Sequence, residues 1–367
     1  MRQVLCLAER PWSQTPTRTQ QLMSRMEGAQ VLFFEPPAPQ GSRSWRGKGR
    51  QVRPNVIVYT LPPEGPELLV NSAPLFARRS RRRTARFIRE RLEKHRFREP
   101  LLWCSSPAGA QLLEELPHRG LVYDCARRWS EYPQRWEEEL AAAADVIFAA
   151  SPDLARRLVG RNPNVTLLPQ GCNYPMFAKD DLPRPRALVG LKGPMFGFGG
   201  TLWPDLDLEP VLRLARQRRD CHILLMGRDA GCWELPDALE EPNVHHLGQV
   251  DPVDLPDYLH SCDACLYLLR DSELTSDIIH ARLFEYLSAG RPIVAMLRPE
   301  QVEHFPDVVY GAHSSAEFVR LCERSLGEVG TWVRDRRREY GKVAAWSSRA
   351  AEVNRILESI GLFSLSS

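Results

Sequence analysis

The sequence lacks long apolar runs, a strong excess of one charge and a dense set of cysteines. No stretch approaches the roughly 20 apolar residues that span a bilayer. The first apolar run, Val4 to Ala8, stops at Glu9 and Arg10, so it predicts a first strand rather than a secretory signal. The net charge of +3 over 367 residues is too small to indicate a nucleic-acid partner, and we expect none.

The nine cysteines are scattered along the chain, which argues against a disulfide framework. Only Cys262 and Cys265 lie close together, and no second pair stands at the spacing of a zinc site. We predict that both are small buried residues beside a strand, with a redox or metal role as the alternative. The sequence therefore predicts no metal, no cofactor and a cytoplasmic location, where thiols stay reduced.

What the sequence does contain is the composition and rhythm of α/β domains. Hydrophobic residues make up 43% and charged residues 26%, as in soluble globular proteins. The length exceeds what one core usually serves, so we expect two domains. Short apolar runs alternate with amphipathic stretches, which predicts βα units around parallel sheets. The predicted strands are residues 4–7, 31–34, 56–59, 101–103, 121–123, 146–149, 165–168, 195–198, 222–226, 244–247, 264–268 and 293–295.

An aperiodic stretch from Gly171 to Pro194 contains four prolines and mixed charges, which is typical of an interdomain linker. We therefore predict an N-terminal domain over residues 1–175, a linker over 176–193 and a C-terminal domain over 194–343. Doubly wound domains bind ligands at the carboxyl ends of their strands. We expect the site in a cleft between two such Rossmann-like domains.

The segment DSELTSDIIHARLFEYLSAGRP, residues 271–292, carries the most chemistry. Ser276 is placed to cap a helix that begins near Asp277 and ends at Gly290. Backbone N–H groups at such a helix start, near His280, form an anion site suited to a diphosphate.

Three charged side chains of this segment suit an extended nucleotide-sugar. Asp277 and Glu285 would lie about 12 Å apart on a helix, which is close to the reach from the sugar to the ribose. Glu285 could then accept hydrogen bonds from the ribose hydroxyls while Asp277 holds the sugar, and Arg282 could meet the phosphates. The alternatives are an ordinary helix glutamate at 285, a first-turn aspartate favoured by the helix dipole and a solvated arginine.

At this segment the sequence resembles the retaining, glycogen-synthase-like clan of glycosyltransferases with the GT-B fold. The shared pattern is Asp277, seven further residues, Glu285 and then YLSAGRPIV. Two further segments resemble bacterial polysaccharide and teichuronic-acid-type members: YDCARRWSEYP at 123–133 and FGFGGTLWPDLDLEPVLRLA at 196–215. The resemblance implies two facing domains and a C-terminal helix, residues 344–367, that returns to the N-terminal domain. The sequence departs from the family at Asp277, where Glu is commoner, and at residues 201–204, where relatives carry basic residues.

The resemblance also implies roles for individual residues. Asp124 ends a strand where relatives carry an acceptor-side His or Asp, although it could instead cap the next turn. Gly199 and Gly200 predict a turn at which another group approaches the backbone closely. Arg228 would supply positive charge to the phosphates in place of the basic loop that relatives carry. The predicted catalytic residues are Asp124 and Asp277, and the predicted donor-binding residues are Gly199, Gly200, Arg228, His280, Arg282, Leu283 and Glu285.

The implied activity is that of a hexosyltransferase-type glycosyltransferase. It would move a sugar, with retention of configuration, from a nucleotide-sugar to a saccharide or lipid-linked acceptor in the biosynthesis of a cell-surface polysaccharide or glycoconjugate. Two alternatives stay open. A sugar-nucleotide epimerase of similar fold would use acidic and histidine residues in a closed cleft, and a noncatalytic sugar-binding protein would fit the missing basic loop.

Residues Arg78 to Arg98 hold ten arginines and one lysine against two glutamates. Such a run is commonly a solvated helix face. The alternative is a surface for anionic lipid at the inner face of the membrane, which would suit a lipid-linked acceptor.

Overall fold

The computed structural model describes residues 2–13, 15–64, 74–270, 277–297, 301 and 303–363. The chain divides into two compact units, one of Met1–Pro169 with Arg349–Ser367 and one of Gln170–Ser348. Residues 176–193, which the proline content predicts to be a linker, belong to the second unit. They include Phe177 and Leu188, whose side chains are buried in its core.

The first unit is built on an eight-stranded sheet, counted over the described residues. The strands are β1 (Arg2–Leu7), β2 (Ala29–Pro37), β3 (Arg50–Arg53), β4 (Val56–Leu61), β5 (Leu101–Cys104), β6 (Gly120–Cys125), β7 (Val146–Ala149) and β8 (Val165–Leu167). Their order is β3-β4-β2-β1-β5-β6-β7-β8, and all neighbours are parallel except β3 and β4. The chain order therefore reverses between β1 and β5, which makes their carboxyl ends a topological switch point.

The second unit has a six-stranded sheet within the same described residues. Its strands are β9 (Met195–Gly199), β10 (His222–Met226), β11 (Val244–Gly248), β12 (Ala264–Tyr267), β13 (Ile293–Met296) and β14 (Tyr310–Ala312). The order β11-β10-β9-β12-β13-β14 is parallel throughout. Here the switch point lies between β9 and β12.

Helices alternate with these strands, as the rhythm of the sequence predicts. Ser151 caps the helix that starts at Pro152 by accepting a hydrogen bond from the Leu154 N–H at 3.3 Å. The helices are α1 (Arg18–Met23), α2 (Pro74–Lys94), α3 (Gln134–Ala143), α4 (Pro152–Val159), α5 (Tyr174–Phe177), α6 (Glu209–Gln217), α7 (Leu235–Leu239), α8 (Leu255–Ser261), α9 (Ala281–Ala289), α10 (Ser315–Ser325), α11 (Trp332–Val343) and α12 (Trp346–Ser359), with a 3₁₀ helix at Pro107–Glu115.

Every predicted strand is present, and the central ones are easily recognised because central parallel strands are buried on both faces and read as continuous apolar runs. The runs LLWC in β5 and VIFA in β7 are buried at every residue. The strand β3, with the sequence RQVR, is an antiparallel neighbour at the sheet edge and mostly exposed, so it lacks the apolar signal. The two-domain α/β architecture predicted from the sequence is confirmed.

The C-terminal helix joins the first unit, as the resemblance implies. Residues from Arg349 onward belong to that unit, where Val353 and Leu357 are fully buried. Glu358 forms an ion pair with Arg2, so the helix is tied to the first strand by charge as well as by apolar packing.

All nine cysteines are free thiols in the interior. Cys262 and Cys265 are fully buried beside and within β12, and burial raises the pKa of both thiols. The interpretation as small buried residues is therefore confirmed. Among the described residues, no helix is long and apolar enough to cross a membrane.

Candidate functional site

The carboxyl end of β9, at the switch point of the second sheet, meets helix α9. The Tyr286 hydroxyl accepts a hydrogen bond from the Gly199 N–H at 2.8 Å. A Cβ placed on Gly199 would lie 3.7 Å from Cδ of Arg282. The structure thus brings predicted residues Gly199 and Arg282 together, and it adds Tyr286, which sequence reasoning missed although it follows Glu285 directly.

The tightest backbone approach near this strand end occurs at Gly227, not at the two predicted glycines. A Cβ on Gly227 would lie 1.7 Å from the Gly200 carbonyl oxygen, so only glycine fits there. A Cβ on Gly199 would meet ordinary contact distances, and one on Gly200 would meet the Phe198 ring at 3.0 Å. In the sequence, the close backbone approach is therefore marked by Gly227, the glycine that follows β10.

The helix of the motif starts later than the sequence predicts. It runs from Ala281 to Ala289, with His280 as N-cap in an extended conformation. The His280 N–H donates to the Tyr267 hydroxyl at 3.2 Å, a partner outside the helix. The predicted cap, Ser276, lies outside the described residues.

This later start changes two expectations. Asp277 has no helical backbone conformation, so the helical spacing that set it about 12 Å from Glu285 does not apply. The N–H groups at the helix start are those of Ala281 and Arg282, because the Leu283 N–H is bonded to the His280 carbonyl at 3.1 Å. The C-terminal end is as predicted, with Gly290 in the left-handed conformation.

Arg282 and Glu285 form an ion pair one turn apart on α9. Arg282 Nη1 lies 2.6 Å from Glu285 Oε2, and the side chains are 29% and 20% exposed. The two atoms lack hydrogen-bond geometry and have no other partner in the described chain. Burial raises the pKa of Glu285, and the positive charge of Arg282 opposes that rise. A half-buried carboxylate whose charge is balanced by one neighbour can accept hydrogen bonds from ligand hydroxyls.

Two other predicted donor-binding residues stand apart from this pair. The Leu283 side chain is fully buried in the core cluster of α9. Helix periodicity turns this side chain inward, and the donor contact of Leu283 stays a prediction. Arg228 is exposed, and its carbonyl accepts from the Leu202 N–H at 2.9 Å; its side chain forms no ion pair in the described residues.

Asp124 lies in the first unit, near the carboxyl end of β6, and is fully buried. Its Oδ1 accepts a hydrogen bond from Arg18 Nε at 2.9 Å, and the side chains are 1% and 5% exposed. Burial raises the pKa of Asp124, while Arg18 opposes the rise. Asp124 thus binds Arg18 of α1 instead of capping the next turn. Sequence reasoning missed Arg18 because the two residues are remote in the chain.

Comparisons with known proteins agree with this architecture. A family model described as "Glycosyl transferase-like" matches residues 208–353. TuaH of Bacillus subtilis, named for teichuronic acid biosynthesis as a glycosyltransferase, is 26% identical over 273 residues, which are 67% of this chain and 68% of TuaH.

Two solved structures resemble the chain over nearly its whole length. Sucrose-phosphate synthase from Thermosynechococcus elongatus has a TM-score of 0.72 at 15% identity, with both chains covered in full. HepE from Anabaena, solved in complex with UDP and glucose, has a TM-score of 0.67 at 15% identity and covers 98% of this chain and 100% of its own.

Proposed function

We propose, from the premise that this chain is a glycosyltransferase with the GT-B fold, that it transfers a sugar from a nucleotide-sugar donor to a saccharide or lipid-linked acceptor. The transfer retains the configuration at the anomeric carbon and serves the biosynthesis of a cell-surface polysaccharide or glycoconjugate. The second unit binds the donor, and the first unit binds the acceptor. The protein works in the cytoplasm, at the inner face of the membrane.

The observation that carries the proposal is the Arg282–Glu285 pair beside Gly199. It stands at the switch point between β9 and β12, where open α/β sheets bind their ligands. Glu285 accepts hydrogen bonds from the two ribose hydroxyls, and the N–H groups of Ala281 and Arg282 face the diphosphate. The similarity to TuaH and to HepE, which binds UDP and glucose, supports the donor class.

The chemistry asked of these residues is electrostatic. In the transfer, the bond from the anomeric carbon to the diphosphate breaks, a bond to the acceptor oxygen forms, and the acceptor proton leaves with the diphosphate. Negative charge grows on the departing diphosphate, and Arg282 with the helix N–H groups stabilises it. The carboxylate of Glu285 holds the ribose so that this geometry is maintained.

A donor panel tests the proposal. UDP-, GDP-, ADP- and dTDP-sugars are screened by thermal shift, and release of the nucleoside diphosphate is then measured for those that raise the melting temperature. We expect one base to dominate and the product anomer, read from its proton NMR coupling, to match the donor. A folded protein that binds no panel member and releases no diphosphate would refute the donor assignment, and an inverted anomer would refute retention alone.

The location at the membrane rests on the basic run in helix α2. Arg78, Arg79, Arg82, Arg83 and Arg86 are exposed on it, and Arg83 lies over the Trp45 ring at 5.1 Å. Through Trp45 the helix joins a second basic segment, residues 43–50. We expect cosedimentation with anionic vesicles that weakens as salt rises. Equal binding to neutral vesicles, or none, would contradict this surface.

A further inference from the structure

The carboxyl ends of β1, β5 and β6 in the first unit hold a cluster of polar groups around the switch point. Glu9 follows β1, and its backbone N–H donates to Ser105 Oγ after β5 at 2.8 Å. Arg127, in the loop after β6, lies 3.7 Å from the Glu9 carboxylate. These contacts bring together residues from three loops at the edge of the sheet where ligands bind.

The two carboxylates of this cluster differ in whether a ligand can reach them. The Asp124 side chain is 1% exposed and hydrogen-bonded to Arg18. The Glu9 side chain is 16% exposed, and no hydrogen bond reaches its carboxylate from the described residues. Asp124 therefore holds α1 against β6 as a positioning residue, while Glu9 retains its full capacity to accept hydrogen bonds.

The surroundings hold Glu9 in place. Its backbone is fixed by Ser105, whose hydroxyl also donates to the Leu7 carbonyl at 3.2 Å. Arg127 stacks over the Trp129 ring at 3.8 Å and is paired with Glu131, so the charge that faces Glu9 is itself anchored. Burial raises the pKa of Glu9, and Arg127 opposes the rise. A half-buried, unbonded carboxylate at a strand end is a common feature of ligand sites.

We propose that Glu9 is the acceptor-binding carboxylate and accepts a hydrogen bond from a hydroxyl of a neutral saccharide. The inference rests on the proposed function, in which the first unit binds the acceptor, and it moves the acceptor contact from Asp124 to Glu9. The ligand is a hydroxyl donor rather than an anion, because the cluster already holds the carboxylates of Glu9, Asp124 and Glu131, and Arg18 and Arg127 are paired with them.

Saccharide binding to the full chain tests this directly. The probes are the methyl glycosides of glucose, galactose, mannose and glucuronic acid, observed by saturation-transfer NMR and titrated in the presence of UDP. We expect at least one neutral glycoside to bind the parent protein. Glu9→Ala should raise its Kd about tenfold or more, and Glu9→Gln less, since the amide oxygen still accepts without the charge.

Glu114→Gln is the control, because Glu114 is an exposed glutamate of the first unit outside this cluster. It should bind the glycoside like the parent. Calorimetry with UDP is run on all variants, and the three should bind UDP equally. The inference fails if no glycoside binds, if only the glucuronide binds, or if Glu9→Ala binds like the parent. If the parent protein does not bind UDP, the donor assignment would be refuted instead.

Discussion

In the first unit, Arg18 and Asp124 join remote parts of the chain and are sealed from solvent, whereas Arg282 and Glu285 of the second unit stand one turn apart and are 29% and 20% exposed. Both pairs lie near the carboxyl ends of parallel strands, yet their roles differ. A sealed pair with its hydrogen bond is expensive to break and holds two elements together. A partly exposed pair without hydrogen-bond geometry keeps hydrogen-bonding capacity for a ligand.

The same contrast separates Asp124 from Glu9 within the first unit. Position at a strand end is common to both, so position alone does not identify a ligand contact. Exposure of the carboxylate does, and it depends on which distant residues fold against the strand end. Asp124 Oδ2 also has no hydrogen-bond partner in the described chain, but Asp124 is sealed from solvent while Glu9 is 16% exposed. The predictions below change one pair at a time, so that the two kinds of pair can be told apart by stability and by binding.

The largest effect is expected from breaking the sealed pair. Arg18→Met leaves the Asp124 carboxylate buried without its partner, which should lower the free energy of unfolding by about 3–5 kcal/mol. Urea denaturation measures this loss. Arg282→Met, which breaks the partly exposed pair, should cost less, because both side chains keep some contact with solvent.

Arg18→Met combined with Asp124→Leu is the control for the sealed pair, because two apolar side chains leave no buried charge. The double variant should recover most of the stability lost in Arg18→Met. If Arg18→Met costs no more than Arg282→Met, the distinction between sealed and open pairs is wrong.

The next effect is on donor binding. Glu285→Gln keeps the shape of the side chain but removes the charge that accepts from the ribose hydroxyls. The affinity for UDP should fall about 10- to 100-fold, as expected for the loss of a charge-assisted interaction. The sequence predicts that Asp277 holds the sugar, so Asp277→Asn should weaken UDP-glucose far more than UDP.

Calorimetry with both ligands separates the two roles. Glu323→Gln serves as the control, because it removes the charge of another helix glutamate in the second unit that is 48% exposed. Its UDP affinity should match the parent. A folded Glu285→Gln protein with parental UDP affinity would show that the ribose is held elsewhere.

A smaller effect is expected from Tyr286→Phe. The change removes the hydroxyl that accepts from the buried Gly199 N–H, and the unmet donor should cost about 1–3 kcal/mol in unfolding free energy. Tyr258→Phe removes a hydroxyl that forms no hydrogen bond in the described residues from a ring packed on the same core cluster, so it should be nearly neutral. Equal losses of unfolding free energy in the two variants would show that the Tyr286 hydroxyl does not hold the Gly199 N–H.

The sequence predicted what depends on local pattern. Buried strands such as β5 and β7 read as apolar runs, and Glu285 could be proposed because its motif lies on one short helix. The later start of α9 could not be read locally, since the His280 N–H is bonded to Tyr267 of a preceding strand. Arg18 and Glu9 were missed as site residues for a related reason. Their partners Asp124 and Arg127 lie more than a hundred positions away in the chain, and only the folded sheet brings them together.

The smallest expected effect is a pH dependence at Glu285. Burial raises its pKa in the folded protein, and Arg282 offsets only part of that rise, so folding favours the protonated form. Its contribution to stability is present below the unfolded pKa and is lost as the pH rises through the folded pKa. Glu285→Gln resembles the protonated form and should therefore match the parent melting temperature in acid and exceed it at pH 7, by at most about 3 °C.

Asp220→Asn should change the melting temperature with the opposite sign, because the hydrogen bond from Arg218 lowers the pKa of Asp220 to about 2. That variant should melt below the parent at pH 7 and approach it as the pH falls. Melting curves between pH 4 and pH 8 measure both, and a Glu285→Gln protein that is less stable than the parent at pH 7 would show that the pair with Arg282 outweighs the cost of burying the carboxylate.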